Sequence, residues 1–165
     1  MSAALVSMEE YLNSSYEPDR EYVDGVLKEI DVGERPHSKV QANFVYFLMQ
    51  RYPHLCVWPE QRVRTLPTRT RLPDVCVTLE DHGTDVFETA PLICIEIVSR
   101  RDSLSELLDK LEEYVALGVK HNWVVVPRRR QAYIYRNGAL EPVPEKFEAE
   151  EAGISLPLDD VFHNL

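Results

Sequence analysis

The 165-residue sequence predicts an α/β fold, or an α+β one, built on a mixed β-sheet. Three observations carry that reading. The apolar run "LICIEIVS" (92–99), an amphipathic stretch from Leu104 to Val115 and the run "NWVVVP" (122–127) form a strand–helix–strand unit, and such a crossover favours neighbouring parallel strands. Asp24-Gly25 and Asn137-Gly138 each stand between apolar runs, the strongest short-range signal of an antiparallel hairpin. A second segment, residues 36–52, carries helical periodicity of its own. The length sets one domain, 1–165, as the default and is ample for a buried core.

The elements follow in order. Ser7 is an N-cap for a short helix in "SMEEYLNS", and Glu10 three residues on completes a capping-box pattern. "REYVDGVLKEIDV" (20–32) is an N-terminal β-hairpin around Asp24-Gly25. In "PHSKVQANFVYFLMQRY" the apolar positions Val40, Phe44, Phe47, Leu48 and Tyr52 recur at intervals of three and four. Pro36 is tolerated in a first turn and Pro53 marks the stop. "LCVWPEQRVRTL" (55–66) and "RLPDVCVTLE" (71–80) read as two strands, with "PTRTR" as a short polar linker between them. "EDHGTDVFETA" is a loop leading to the central strand "PLICIEIVS". Leu104, Leu107, Leu108, Leu111, Tyr114 and Val115 make one helical stripe, which Gly118 closes. "AYIYRNGALEPV" gives two short strands, and the acidic tail ends in "LPLDDVF", whose apolar residues are expected to dock back.

Composition narrows the function classes. With 44% hydrophobic and 28% charged residues the chain is of the ordinary globular type. No apolar run reaches the roughly 18 residues that span a bilayer, so no membrane partner is expected. The start lacks a basic n-region, which argues against a signal peptide. Cys56, Cys76 and Cys94 sit in apolar segments without metal-ligand spacing. Free thiols in a reducing cytoplasm are the simplest account, and the expected localisation is cytoplasmic. Residues 1–34 carry −7 and residues 141–165 carry −6 of the net charge of −10, leaving +3 on residues 35–140. The middle is friendlier to anions than the ends, yet a pI near 5.0 is not that of a strongly basic DNA-binding domain.

Glu96 is the residue that asks for a function. It lies inside a run that reads as buried on both faces, where an unpaired charge costs several kcal/mol. Asp74, after Pro73, opens an apolar strand 22 residues earlier, so the two strands can neighbour each other with both carboxylates on one side. Lys110 flanks the apolar stripe of the following helix, about 100° from its centre at Leu111, and its ammonium can reach the strand ends. Each has an ordinary alternative: Asp74 as a turn former, Glu96 paired with Arg71 or Arg100, Lys110 snorkelling to water. Together, two carboxylates and a lysine make a hard-cation site suited to Mg²⁺, with Mn²⁺ as a second choice. The lysine can orient a water or offset charge on phosphorus.

Pro73-Asp74, "EIVS" at Glu96–Ser99 and "DKLEEYVALGVKHNWVVVP" resemble the Uma-two-type group of restriction-endonuclease-like proteins, a branch of the PD-(D/E)XK nuclease superfamily. "REYVDGVL" and "RPHSKV" resemble that family's opening hairpin and first core helix, so the resemblance covers about residues 8–136. It implies a restriction-endonuclease-like core, a central mixed β-sheet flanked by helices, and Mg²⁺-dependent hydrolysis of phosphodiester bonds in DNA. It assigns metal binding to Asp74 and Glu96, and it places the branch's additional acidic residue at Glu21, which could hold the ion through water. The parent pattern has its lysine two residues after the glutamate, where this chain has Val98; in this branch the lysine comes from the next helix, at Lys110. His37 fits the pattern as a general base or phosphate contact, with a cap or solvated imidazole as its ordinary alternative, and a homodimer is expected; Gln61, in "PEQRVR", faces either the site or water. Arg128, Arg129 and Arg130 read as a solvated turn. Two other functions stand beside this one: a catalytically inactive nucleic-acid or protein interaction module on a nuclease scaffold, and a different hydrolase, acting on RNA or nucleotides, in the same acidic pocket. No P-loop, GxGxxG or nucleophile elbow supports nucleotide-cofactor chemistry.

Overall fold

A computed structural model describes residues 4–30 and 34–165. Ser7 caps α1 (Met8–Leu12), its hydroxyl accepting from the Glu10 N–H at 3.0 Å. β1 (Arg20–Val23) and β2 (Val26–Glu29) form the opening hairpin. Its turn holds Asp24 at φ 50° and Gly25 at φ 91°, the double left-handed turn that matches strand twist. Asp31 and Val32, the end of the predicted hairpin, lie outside the described residues. α2 (Arg35–Arg51) has Pro36 in its first turn and buries Val40, Phe44 and Leu48 on one side, as their spacing requires.

The next segment departs from expectation. "LCVWPEQRVRTL" is two strands, β3 (Cys56–Pro59) and β4 (Val63–Leu66), in different sheets. The break falls at Glu60, which adopts φ 51° and redirects the chain. The polar "PTRTR" is no linker either. Arg69–Arg71 is a strand, β5, paired with both β4 and β1. Thr70 and Arg71 within it are buried, because carboxylates from other elements neutralise the arginines, a circumstance composition does not reveal.

β6 (Val75–Thr78), β7 (Ile93–Ile97), α3 (Leu104–Leu117) and β8 (His121–Val126) follow. Ser103 caps α3, and Gly118, at φ 110°, closes it where a side chain would be strained. β7 and β8 are parallel neighbours, as the crossover predicts. A 3₁₀ turn at Pro127–Arg129 holds the exposed arginines and leads to the hairpin of β9 (Gln131–Arg136) and β10 (Ala139–Pro142). A further, unpredicted hairpin, β11 (Lys146–Ala149) with β12 (Ile154–Pro157), precedes α4 (Leu158–Val161). The expected docking of the tail is observed: Leu156, Val161 and Phe162 are all buried.

The main sheet is mixed, with strand order β10-β9-β8-β7-β6-β3; a four-stranded sheet runs β2-β1-β5-β4. Side-chain alternation divides the main sheet into two faces. Val75, Val77, Ile93, Ile95, Ile97, Trp123 and Val125 pack with α2 and the C-terminal hairpin. Cys76, Cys94 and Val124 face the other way, against Leu107, Leu111 and Tyr114 of α3. The same alternation places Glu96 on the α3 side, because it shares the parity of Cys94. Cys76 and Cys94 are buried and Cys56 half-buried, all as free thiols. Among the described residues no helix is long and apolar enough to cross a membrane.

Candidate active site

β6 and β7 pair so that Val77 meets Ile93, Cys76 meets Cys94 and Val75 meets Ile95. One step further along this register brings Asp74 opposite Glu96 on the α3-facing side. Asp74 is the residue just before β6, and two bonds fix its carboxylate: Oδ2 accepts from the Ile97 N–H at 2.6 Å and Oδ1 lies 2.9 Å from His37 Nε2. Its main-chain carbonyl accepts from the Gln41 side chain at 2.9 Å. Burial works against the His37 cation, but the Asp74 carboxylate outweighs it and raises the imidazole above its ordinary value.

Glu96 is 5% exposed. Its Oε1 accepts from the Tyr114 hydroxyl at 2.7 Å, and its Oε2 accepts from Lys110 Nζ at 3.3 Å. Burial pushes the Glu96 carboxyl well above the usual carboxylate range; the Lys110 charge opposes this, while Asp74 and Glu21 add to it. Burial also acts against the Lys110 ammonium, but Glu96 and Glu21 dominate and raise it, so the lysine is charged. Lys110 Nζ stands 2.9 Å from Glu21 Oε1, between two carboxylates.

These groups open on one cavity of about 240 Å³, lined by Glu21, His37, Asp74, Glu96, Asp102 and Lys110 among others. The Ser99–Ser103 turn borders it, with Asp102 Oδ2 accepting from the Ser99 N–H at 2.6 Å. Val98, at the parent lysine position, is half-buried and packs with the α3-side core. The structure therefore brings together Asp74, Glu96, Lys110, Glu21 and His37. Gln61 is elsewhere: it follows the turn at Glu60, and its amide donates to the carbonyls of Asp85 (2.7 Å) and Arg62 (3.2 Å). It lines a separate hollow with Arg62 and Asp19 rather than this cavity. Of the arginine turn, Arg128 stands 3.6 Å from Glu34.

Three residues of this neighbourhood were not singled out from sequence as site residues. Tyr114 reads from sequence as part of an apolar stripe and Arg71 as one possible partner of Glu96; Glu113 carries no reading there. Their positions held a usable signal, since Glu113 and Tyr114 fall three and four residues after Lys110 and so share its side of α3. Arg71 pairs with Glu113 and Glu21 instead of Glu96.

The donor chemistry fits a hard divalent cation. Among the described residues no three His, Cys, Asp or Glu side chains form an all-protein cage. Mg²⁺ rarely asks for one: it keeps several waters and binds through one or two carboxylates plus substrate phosphate. Asp74 and Glu96 supply that number of carboxylates, each oxygen engaged by one protein donor (Ile97 N–H, His37, Tyr114 or Lys110) and retaining a second lone pair.

Comparison with known proteins agrees with this architecture. The family described as "Uma2: Putative restriction endonuclease" matches residues 8–165. A crystal structure of a "putative nuclease belonging to DUF820" from Anabaena variabilis ATCC 29413 is similar in fold: TM-score 0.79, 21% sequence identity, covering 95% of this chain and 97% of that one. No curated protein matches the chain.

Proposed function

The chain belongs to the Uma2 family of restriction-endonuclease-type proteins, and on that premise we propose that it is a Mg²⁺-dependent nuclease hydrolysing phosphodiester bonds of DNA. One observation carries the reading: Asp74 and Glu96 face each other across adjacent strands with the Lys110 ammonium 3.3 Å from Glu96. Asp74 and Glu96 would hold the ion, with Mn²⁺ as an alternative. When bound, the ion polarises a phosphoryl oxygen and acidifies a water.

The protein's own groups do the rest. His37 and the Ile97 N–H fix the Asp74 carboxylate in place. Tyr114 fixes Glu96. Lys110 orients the attacking water or offsets negative charge growing on the phosphoryl oxygens. A P–O bond forms from the water as it gives up a proton to solvent, the ester P–O bond breaks, and the departing oxygen takes up a proton from solvent. One chain makes one nick; a homodimer would pair two.

A second reading, a binding module that does not cut, is favoured by the net charge of −10, which repels a polyanion away from the cavity. Nicking of supercoiled plasmid with added Mg²⁺ separates the two. The nuclease reading expects nicking by the native protein and a loss of about 10²-fold or more in Asp74→Asn and in Lys110→Ala. Undiminished cutting in either variant overturns the site assignment. DNA binding without cutting by the native protein favours the module.

A further inference from the structure

Glu21 is the carboxylate of the cavity whose oxygens are most heavily used. Oε1 accepts from Lys110 Nζ at 2.9 Å and from the Leu72 N–H at 3.2 Å; Oε2 accepts from Arg71 Nη1 at 3.1 Å. Arg71 is gripped in turn by Glu113, through Nε at 2.9 Å and Nη2 at 2.7 Å. Glu113 also accepts from the Thr65 hydroxyl at 2.7 Å and from Arg69 at 2.6 Å, and Arg69 reaches Asp24 at 2.7 Å. The result is a line of alternating charges running from Asp24 at the exposed hairpin turn through Arg69, Glu113, Arg71 and Glu21 to Lys110 and Glu96. Glu21, Arg71, Glu113 and Glu96 are all buried.

Burying this many ions is costly, and an ion pair seldom repays it in stability alone. A lysine explains the investment. Its ammonium rides on a flexible four-carbon stem and makes no fixed fork, so by itself it does not hold one place. Here two of its three donors are taken by Glu21 and Glu96, and one is left for a reacting water or phosphate.

We propose that Glu21 is a positioning residue for Lys110, held in place by the Arg71–Glu113 pair, and that it is not a ligand of the ion. This rests on the reading above, in which Asp74 and Glu96 bind the metal. Glu21 joins three elements for this purpose: β1 carries it, β5 supplies Arg71, and α3 supplies both Lys110 and Glu113. Both lone pairs of Oε1 are taken, by Lys110 and the Leu72 N–H, and the one left on Oε2 lies beside the Arg71 guanidinium, whose charge repels a cation there.

The test is calorimetric titration with Mn²⁺ in the absence of DNA, beside nicking kinetics with Mg²⁺. Glu21→Gln keeps the shape and loses the charge. It is expected to bind Mn²⁺ as the native protein does, while kcat falls about 10- to 100-fold with KM unchanged; Asp74→Asn is expected to lose Mn²⁺ binding. Glu113→Gln, which touches neither lysine nor ion, should show the same split more weakly and serves if Glu21→Gln does not fold. Loss of Mn²⁺ affinity in Glu21→Gln as large as in Asp74→Asn overturns the proposal, as does an unchanged kcat in either glutamine variant. Mn²⁺ binding that survives Asp74→Asn overturns the metal reading itself, and the proposal with it.

Discussion

Glu96 keeps a buried carboxylate only because two donors meet it. Tyr114 donates at 2.7 Å from a position with no exposure of its own. In Tyr114→Phe that oxygen loses its donor, and the native state should lose about 1–3 kcal/mol, the cost of an unsatisfied buried acceptor. Urea unfolding of the two proteins measures it; an unchanged midpoint would show that the hydroxyl contributes nothing. Glu113 gives a pH prediction. Burial alone would raise its carboxyl, but Arg71, Arg69 and Thr65 prevail and hold it below the ordinary value. A depressed folded-state value adds stability above the unfolded value, about 4.3, and loses it as pH falls through the folded one. The stability gap between the native protein and Glu113→Gln should therefore be widest near neutral pH and shrink below about pH 4; a gap constant from pH 7 to pH 3 in urea melts would remove the ion pair from the account. At this scale the convergence of Asp74, Glu96 and Lys110 on one cavity was legible because Glu96 interrupts an apolar strand, Asp74 opens its neighbour and Lys110 flanks the helix stripe that follows. Tyr114, Arg71 and Glu113 were not, since a tyrosine fits a helix stripe and a buried ion pair is spelled with the same letters as a surface one.

Among elements, what sequence resolved were the units with strong periodicity or a turn dipeptide: α2, α3, the β7–α3–β8 crossover and both Asx-Gly hairpins. What escaped were the places where tertiary pairing overrides local pattern. In "LCVWPEQRVRTL" the apolar run ends at Trp58 and polar residues follow, but it is the left-handed backbone at Glu60 that parts the segment into two strands of different sheets. β5 is written in arginine and threonine, and becomes a central strand because β1 and β4 flank it. One element contact bears on binding. Lys28 of β2 reaches Glu106 of α3 at 2.8 Å, both residues bordering the cavity and both partly exposed. An exposed pair is worth about 0–1 kcal/mol, so Lys28→Ala should leave the melting temperature almost untouched. If a DNA phosphate displaces Glu106 from Lys28, the same variant weakens binding across sequences and lowers the slope of log K against log salt by about 1. Fluorescence anisotropy over a salt series checks this, and an unaltered slope would take Lys28 out of the interface.

At the scale of the whole molecule, the main sheet divides its surroundings between two faces. Asp74 and Glu96 stand on the α3 side, while the opposite side is filled by α2 and by the C-terminal β11–β12 hairpin with α4. Phe147 of β11 stacks on Trp123 of β8, with ring centroids 4.6 Å apart, and both rings are fully buried. Phe147→Ala should cost about 3–5 kcal/mol by the cavity it opens, read as a shift in the urea midpoint; a cost near zero would mean the hairpin is not part of the core. Neither the hairpin nor this stack could be read from the acidic tail, whose charged residues alternate with the few apolar ones that do the packing.

That division of faces has a consequence for a chain still being made. Translation delivers Glu21, His37, Asp74, Glu96 and Lys110 well before Phe147, Ile154 and Leu156. Until those last side chains arrive, only α2 covers that face of the sheet, and Trp123 of β8 lacks its stacking partner. The core behind the Glu96 strand is therefore complete only once the closing hairpin has been made.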